Sequence, residues 1–133
     1  METRLLAPVK EFVTPNLLTI GKDKTLHDAA VLMASVNIGS LVVQCDDTPC
    51  GIITERDIIR SIAAGRQLDE TTIGDVMTQH LITISGSIPV KDALVVMSKE
   101  AIRHLLVEEG GRIIGMFSFK NFLDLERLRV GFI

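Results

Sequence analysis

The chain has 133 residues, of which 47% are hydrophobic and 23% charged, and its net charge at pH 7 is −3. This composition is typical of a globular protein, and no apolar run is long enough to cross a bilayer. The acidic balance and the lack of Tyr and Trp disfavour a nucleic-acid surface, because both the positive field and the aromatic stacking are missing. No signal-peptide pattern follows Met1, so we expect a cytoplasmic protein.

The sequence contains a gapless internal repeat. A shift of 64 positions superposes twelve identical residues, among them Asp28 on Asp92 and Gly51 on Gly115. Most other pairs exchange one aliphatic residue for another, so the positions expected in a core are kept. The pattern indicates two tandem copies of one structural unit.

The elements of the first copy follow in chain order. We predict an opening turn at Pro8–Glu11, a strand over 18–20, a helix from Thr25, a hairpin of 41–43 with 52–53, and a helix over 55–64 that stops at Gly65. The helix from Thr25 carries its apolar residues at i, i+3, i+4 and i+7, which places them on one face.

The second copy repeats this order. We predict a capped turn at Thr72–Asp75, a strand over 82–84, a helix entered through Pro89, a hairpin of 105–107 with 113–114 around Gly110-Gly111, and a helix over 119–128.

These elements predict an α+β fold of two tandem β-α-β-β-α repeats. A three-stranded sheet with helices on one face leaves its other face apolar, so we expect the two sheets to face each other as a pseudo-two-fold pair. The predicted boundaries are 9–65 and 73–128 for the repeats, 66–72 for the linker and 129–133 for an apolar C-terminal tail.

The most informative segment is the predicted junction between hairpin and helix, which reads Gly51-Ile52-Ile53-Thr54-Glu55-Arg56-Asp57-Ile58. Together with the preceding Asn37-Ile38-Gly39-Ser40-Leu41-Val42-Val43, it closely resembles the CBS domain, which is named for cystathionine β-synthase. The resemblance covers residues 9 to about 128 as two consecutive copies.

The resemblance implies an adenine nucleotide or related adenosyl ligand, such as AMP, ADP, ATP or S-adenosylmethionine, in the clefts between the repeats. No required cofactor and no metal site are implied. In the first copy, Thr54 would meet the phosphate or ribose, Asp57 the ribose hydroxyls and Arg56 the phosphate. The first strand of each copy would line the adenine pocket, so the expected site also includes Thr19, Ile20, Thr83 and Ile84.

The second copy departs from this pattern. It has Ser118, Lys120 and Asn121 at the positions of Thr54, Arg56 and Asp57. Asn keeps a carbonyl acceptor but lacks the charge, so we expect a weaker site there. Arg103 and His104 precede the second hairpin, where basic residues of some family members reach ligand phosphates.

The pattern Thr54-x-x-Asp57 has a structural interpretation as well. A Thr at a helix start with an acidic residue three positions later is also a capping box. The residues alone leave capping and ligand binding both open, and the two roles can coexist.

For function, we expect a stand-alone regulatory module that binds an adenosyl ligand and signals to an unknown protein partner. The alternative is a dimerising scaffold with empty or vestigial clefts. We do not expect an enzyme, because no nucleophile with an adjacent base, metal cluster or P-loop is found.

We expect no membrane partner and no nucleic-acid partner. We do expect a homodimer, formed through apolar helix faces at Met33, Met97, Leu125 and Leu128.

The two cysteines, Cys45 and Cys50, lie in the first predicted hairpin and do not form a CxxC pair. We expect reduced thiols, as is usual in the cytoplasm. The alternative is a disulfide across the hairpin, because four intervening residues could place the two cysteines opposite each other.

Overall fold

The computed structural model describes residues 2–15, 17–120 and 122–123, which form two compact units. We call Leu18–Leu81 the central unit, and Met1–Leu17 with Ile82–Ile133 the terminal unit. Among the residues described, no helix is long and apolar enough to span a membrane.

The central unit consists of β1 (Thr19–Gly21), α2 (Leu26–Val36), β2 (Ser40–Cys45), β3 (Thr48–Thr54), α3 (Glu55–Ala63) and α4 (Ile73–Val76). Its three strands form a mixed sheet in the order β1-β2-β3. Strand β1 pairs parallel to β2, and β2 pairs antiparallel to β3. The parallel pair requires a crossover, which α2 supplies.

The terminal unit contains α1 (Glu2–Leu6), a 3-10 turn at Val9–Phe12, β4 (Thr83–Ser85), α5 (Val90–Glu100), β5 (His104–Glu109) and β6 (Arg112–Ser118). It has the same topology as the central unit, with its sheet in the order β4-β5-β6. After β6, the described residues 119–120 and 122–123 are helical, and the rest of the predicted closing helix lies outside the described residues. The predicted α+β fold with two β-α-β-β-α repeats is confirmed.

The opening turn of each repeat is buried in the unit that contains the other repeat's sheet. Val9 and Phe12 are fully buried in the core of the terminal unit, together with Val90 and Phe117. In the same way, Ile73 is buried in the core of the central unit. The compact units therefore differ from the sequence repeats by the exchange of these two short segments.

Two glycines of the repeat permit this exchange. In the central unit, Ile52 and Thr78 exchange two backbone hydrogen bonds, and a Cβ atom on Gly51 would lie 2.7 Å from the Thr78 carbonyl oxygen. In the terminal unit, a Cβ atom on Gly115 would lie 2.6 Å from the carbonyl oxygen of Thr14. Both positions lack the room for a side chain, because a backbone segment crosses the strand there.

The expectation that Met33 and Met97 form a dimer contact is wrong. Met33 is 4% exposed and Met97 is 8% exposed, and each packs within the core of its own unit. Their periodic spacing turns each side chain towards the sheet, which leaves little methionine surface for a partner. Leu125 and Leu128 lie outside the described residues.

The expectation of free thiols at Cys45 and Cys50 is also wrong. The two residues form a disulfide, with Cα atoms 5.7 Å apart. Cys45 ends β2 and Cys50 lies in β3, so the bond joins the two strands close to their turn. In the same hairpin, the pairing register of β2 with β3 shifts between Val43 and Gln44.

We expect Gly51→Ala and Gly115→Ala each to lower the free energy of unfolding by about 1–3 kcal/mol, the usual size of an overpacking effect. The matched control is Gly21→Ala, where the nearest atom to a new Cβ would be 4.0 Å away. Urea unfolding of the three variants measures the difference. Equal stability of Gly51→Ala and Gly21→Ala would show that the crossing segment gives way.

We expect removal of the Cys45–Cys50 disulfide to lower the free energy of unfolding by about 2 kcal/mol, since the bond closes a short loop in the unfolded chain. The measurement is the Tm with and without dithiothreitol. The double variant Cys45→Ser/Cys50→Ser is the control and should not respond to the reductant. An unchanged Tm of the native chain in dithiothreitol would restore the interpretation of two free thiols.

Candidate functional site

The candidate site of the central unit lies where β3 ends and α3 begins. Thr54 is the N-cap of α3, and its hydroxyl oxygen accepts a hydrogen bond from the backbone N–H of Asp57 at 3.2 Å. Oδ2 of Asp57 accepts from the backbone N–H of Thr54 at 2.9 Å and from its hydroxyl at 3.0 Å. These reciprocal bonds form a capping box, so the structural interpretation of the two residues is confirmed.

The capping box uses only one carboxylate oxygen of Asp57. Within the described part of the chain, no group donates to Oδ1, and the side chain is half-buried. An ionised carboxylate has about four lone-pair sites on its two oxygens, so a ligand hydroxyl can bind while the cap stays intact. Arg56 is exposed on the same first turn of α3. Capping and ligand binding are therefore compatible in this geometry.

The central unit contains a second capping box at the start of α2. The backbone N–H of Asp28 donates to the Thr25 hydroxyl oxygen at 3.1 Å, and the backbone N–H of Thr25 donates to Oδ2 of Asp28 at 3.0 Å. The hydrogen bond from the Thr25 backbone N–H lowers the pKa of the Asp28 carboxyl. The ionised carboxylate therefore stabilises the fold at neutral pH, and this stabilisation is lost as the pH falls through the lowered pKa. Asp28 thus caps α2 in the way that Asp57 caps α3, but no ligand role is expected for it.

The first strands place their two expected residues on opposite faces. Thr19 and Thr83 are exposed, whereas Ile20 and Ile84 pack against the cores of their own units. The two threonines are in equivalent register, since Thr19 pairs with Val42 and Thr83 with Leu106. Any contact of a ligand with the isoleucines would therefore use their backbone more than their side chains.

In the terminal unit, the structure brings His104 and Ser118 together. They are direct partners across β5 and β6, the position that Ser40 and Thr54 occupy in the central unit. Ser118 is buried and His104 is half-buried. Arg103 precedes this pair and Lys120 follows it, both with exposed side chains, while Asn121 lies outside the described residues.

The two units differ in charge at these equivalent strand ends. In the central unit, the Glu55 carboxylate lies over Gly39, where an added Cβ would be 3.2 Å from Oε1. In the terminal unit, Arg103 takes the place of Gly39 and Phe119 takes the place of Glu55. The central junction is thus suited to accept hydrogen bonds from hydroxyls, and the terminal strand end is suited to attract anions.

Sequence reasoning missed a pocket of the central unit that begins at Asp57. It has a volume of about 300 Å³ and is lined by Asp57, Arg60, Ser61, Ala64, Arg66 and Val76. Arg60, Ser61 and Ala64 follow Asp57 at i+3, i+4 and i+7, so a count along the face of α3 could have found them. Arg66 lies beyond the helix, and no periodicity predicts its place.

Comparison with known proteins agrees with this architecture. The chain is 33% identical over 121 residues to an uncharacterized protein of Methanopyrus kandleri, covering 89% of this chain but only 62% of that relative. An uncharacterized conserved protein from Pyrococcus horikoshii superposes with a TM-score of 0.80 at 34% identity, over 92% of this chain and 94% of that one. A CBS domain protein from Pyrobaculum aerophilum, solved in complex with AMP, shares the fold with a TM-score of 0.75 at 22% identity, over 94% and 97%.

The family model of the CBS domain matches the chain twice, at residues 9–64 and 73–127. These two matches cover most of the sequence and correspond to the two β-α-β-β-α repeats. They also confirm the resemblance of the segments around Thr54 and Ser118. The chain therefore belongs to the CBS-domain family, as a tandem pair of CBS domains.

Proposed function

We propose that this CBS pair is a regulatory module that binds an adenine nucleotide or related adenosyl ligand and signals to a partner protein. The observation that supports the proposal best is the carboxylate of Asp57, which keeps one oxygen free of the capping box beside a pocket of about 300 Å³. A free carboxylate oxygen is a suitable acceptor for ribose hydroxyls. The AMP complex of the Pyrobaculum aerophilum protein shows that this fold can hold such a ligand.

In this proposal the two strand ends have different roles. Thr54 and Asp57 contact the ribose, with Arg56 near the phosphate, and Thr19 contributes from β1. In the terminal unit, His104 and Ser118 face each other across the ladder and Arg103 and Lys120 add positive charge, which favours a phosphate-bearing ligand. Asn121, Thr83, Ile20 and Ile84 complete the proposed set. The ligand is of the AMP, ADP, ATP or S-adenosylmethionine type, and the module binds it without chemical conversion.

A dimerising scaffold is the second candidate function, and a particular surface favours it. Helix α3 leaves Ile59 64% exposed and Ile62 56% exposed, three positions apart on one face. Large aliphatic side chains in water favour burial against another apolar face. We propose that a second copy of the chain covers this face, so that the protein is a homodimer.

We expect Asp57→Asn to weaken the binding of adenine nucleotides by about tenfold, since the amide oxygen is a poorer acceptor than the carboxylate. The variant should also lose about 0.5–1 kcal/mol of stability through the cap. The measurement is the ligand-induced rise in Tm, which corresponds to about 2.7 kcal/mol at a ligand concentration one hundred times Kd.

The matched control for this experiment is Asp28→Asn, which alters the other capping box of the central unit. It should lower the Tm without ligand and leave the ligand-induced rise unchanged. If Asp57→Asn behaves in the same way as Asp28→Asn, Asp57 serves only as a cap and the ribose site at this junction is wrong. A native chain whose Tm no adenosyl ligand raises favours the scaffold instead.

We expect light scattering to give the mass of a dimer for the native chain and of a monomer for Ile59→Asp/Ile62→Asp, because two charges at the centre of an apolar contact oppose its burial. Val31→Asp is the control, since Val31 is 54% exposed on α2 instead of α3. A native chain that is monomeric at micromolar concentration contradicts the proposed homodimer.

A further inference from the structure

The pocket of the central unit extends along the length of α3. Its lining begins at Asp57, in the first turn, and continues through Arg60, Ser61 and Ala64 to the end of the helix. At 1.5 Å per residue, the Cα atoms of Asp57 and Ala64 are about 10 Å apart along the helix axis. The volume of about 300 Å³ is at the lower end of the range for ligand pockets, which suits one small molecule.

The end of α3 turns the chain back towards this pocket. Gly65 has a φ of +83°, a left-handed conformation that glycine adopts without a steric cost. Its backbone N–H donates to the Ile62 carbonyl, and the backbone N–H of Arg66 donates to the Ser61 carbonyl, both at 3.0 Å. These two bonds form a Schellman motif, which fixes the backbone of Arg66 against the last turn of α3. Arg66 thereby joins Arg60 on the pocket wall.

Arg60 and Arg66 place two positive charges on the wall of the pocket. Within the described residues, neither guanidinium group makes an ion pair or a side-chain hydrogen bond. Both are exposed, and among the described residues that line the pocket Asp57 is the acidic one. Its Oδ2 is already bonded to Thr54. The pocket therefore offers a hydrogen-bond acceptor at one end and two unpaired cationic groups further along.

We infer that Arg60 and Arg66 form a phosphate subsite of the central unit. The inference rests on the proposed function: Asp57 accepts hydrogen bonds from ribose hydroxyls, and the two guanidinium groups donate to the phosphate of the same ligand. A guanidinium presents a planar fork of donors that matches phosphate oxygens. The subsite makes the central unit selective for nucleoside phosphates over adenosine and over S-adenosylmethionine-type ligands, which carry no phosphate.

Cations near the C-terminus of a helix also have a structural use, because they interact favourably with the helix dipole. That role affects stability alone and gives no preference among ligands. A comparison of AMP with adenosine separates the two roles, because the two ligands differ only in the phosphate group.

The test is isothermal titration calorimetry of the full chain with AMP and with adenosine. Arg60→Gln and Arg66→Gln should each raise the Kd for AMP by about tenfold, the usual effect of losing a hydrogen bond to a charged group. The Kd for adenosine should stay unchanged in both variants. Arg60→Lys, which keeps the charge, should recover part of the AMP affinity.

Two further variants complete the design. Arg112→Gln removes an exposed arginine of the terminal unit and should leave both ligands unaffected. Arg56→Gln and Arg103→Gln test the other two proposed phosphate contacts, at the start of α3 and in the terminal unit. If either of them weakens AMP while Arg60→Gln and Arg66→Gln bind it like the native chain, the inference is overturned and the proposed function stands. If the native chain binds adenosine or S-adenosylmethionine but none of AMP, ADP and ATP, the inference is overturned and the proposed function stands. If it binds none of these ligands, the proposed function fails and the inference falls with it.

Discussion

The fold depends on a backbone contact that occurs once in each unit. A segment of extended chain crosses the last strand of the sheet at a glycine, Gly51 in the central unit and Gly115 in the terminal unit, close enough that no side chain fits between. Paired backbone hydrogen bonds hold the segment there, from Thr78 to Ile52 and from Thr14 to Met116. The contact draws the adjoining turn into the core, so the position of Ile73 and of Phe12 follows from it.

The same strand leads directly into the candidate site. In the central unit, β3 runs from the crossing at Gly51 to the cap at Thr54 in three residues, so the start of α3 is held by the sheet on one side and by the capping box on the other. A binding group fixed in this way loses little conformational entropy when a ligand arrives. The capping bonds of Asp57 are therefore an advantage for binding, because they orient the carboxylate before the ligand does.

Much of this structure could be predicted from the sequence. The repeat of 64 residues predicted the two sheets and their helices, and the spacing of Thr54 and Asp57 placed both residues at a helix start. The burial of Met33 was implicit in its helical spacing but was interpreted as a contact surface, since periodicity identifies an apolar face without naming what covers it. The Cys45–Cys50 bond was one of two open alternatives, because a spacing of five residues permits a disulfide but does not require one.

Other features could not have been predicted, because they arise from contacts between distant parts of the chain. A repeat in sequence suggests that each copy folds upon itself, and nothing local to Val9 indicates that its neighbours include Val90. The position of Arg66 depends on the left-handed turn at Gly65, where the sequence indicated only the end of a helix. The pocket along α3 became visible only when that turn and Val76 were placed beside the helix.

The exchange of opening turns has a consequence for how the chain folds. Val9 has to find Val90 about eighty residues away, so the terminal unit cannot be completed until Val90 and the strands that follow it have been synthesised. A fragment that ends within residues 66–72 would lack Ile73 and Thr78, which complete the central sheet and its core. Proteolysis in that segment would therefore yield two halves that each need the other to refold, in place of two autonomous domains.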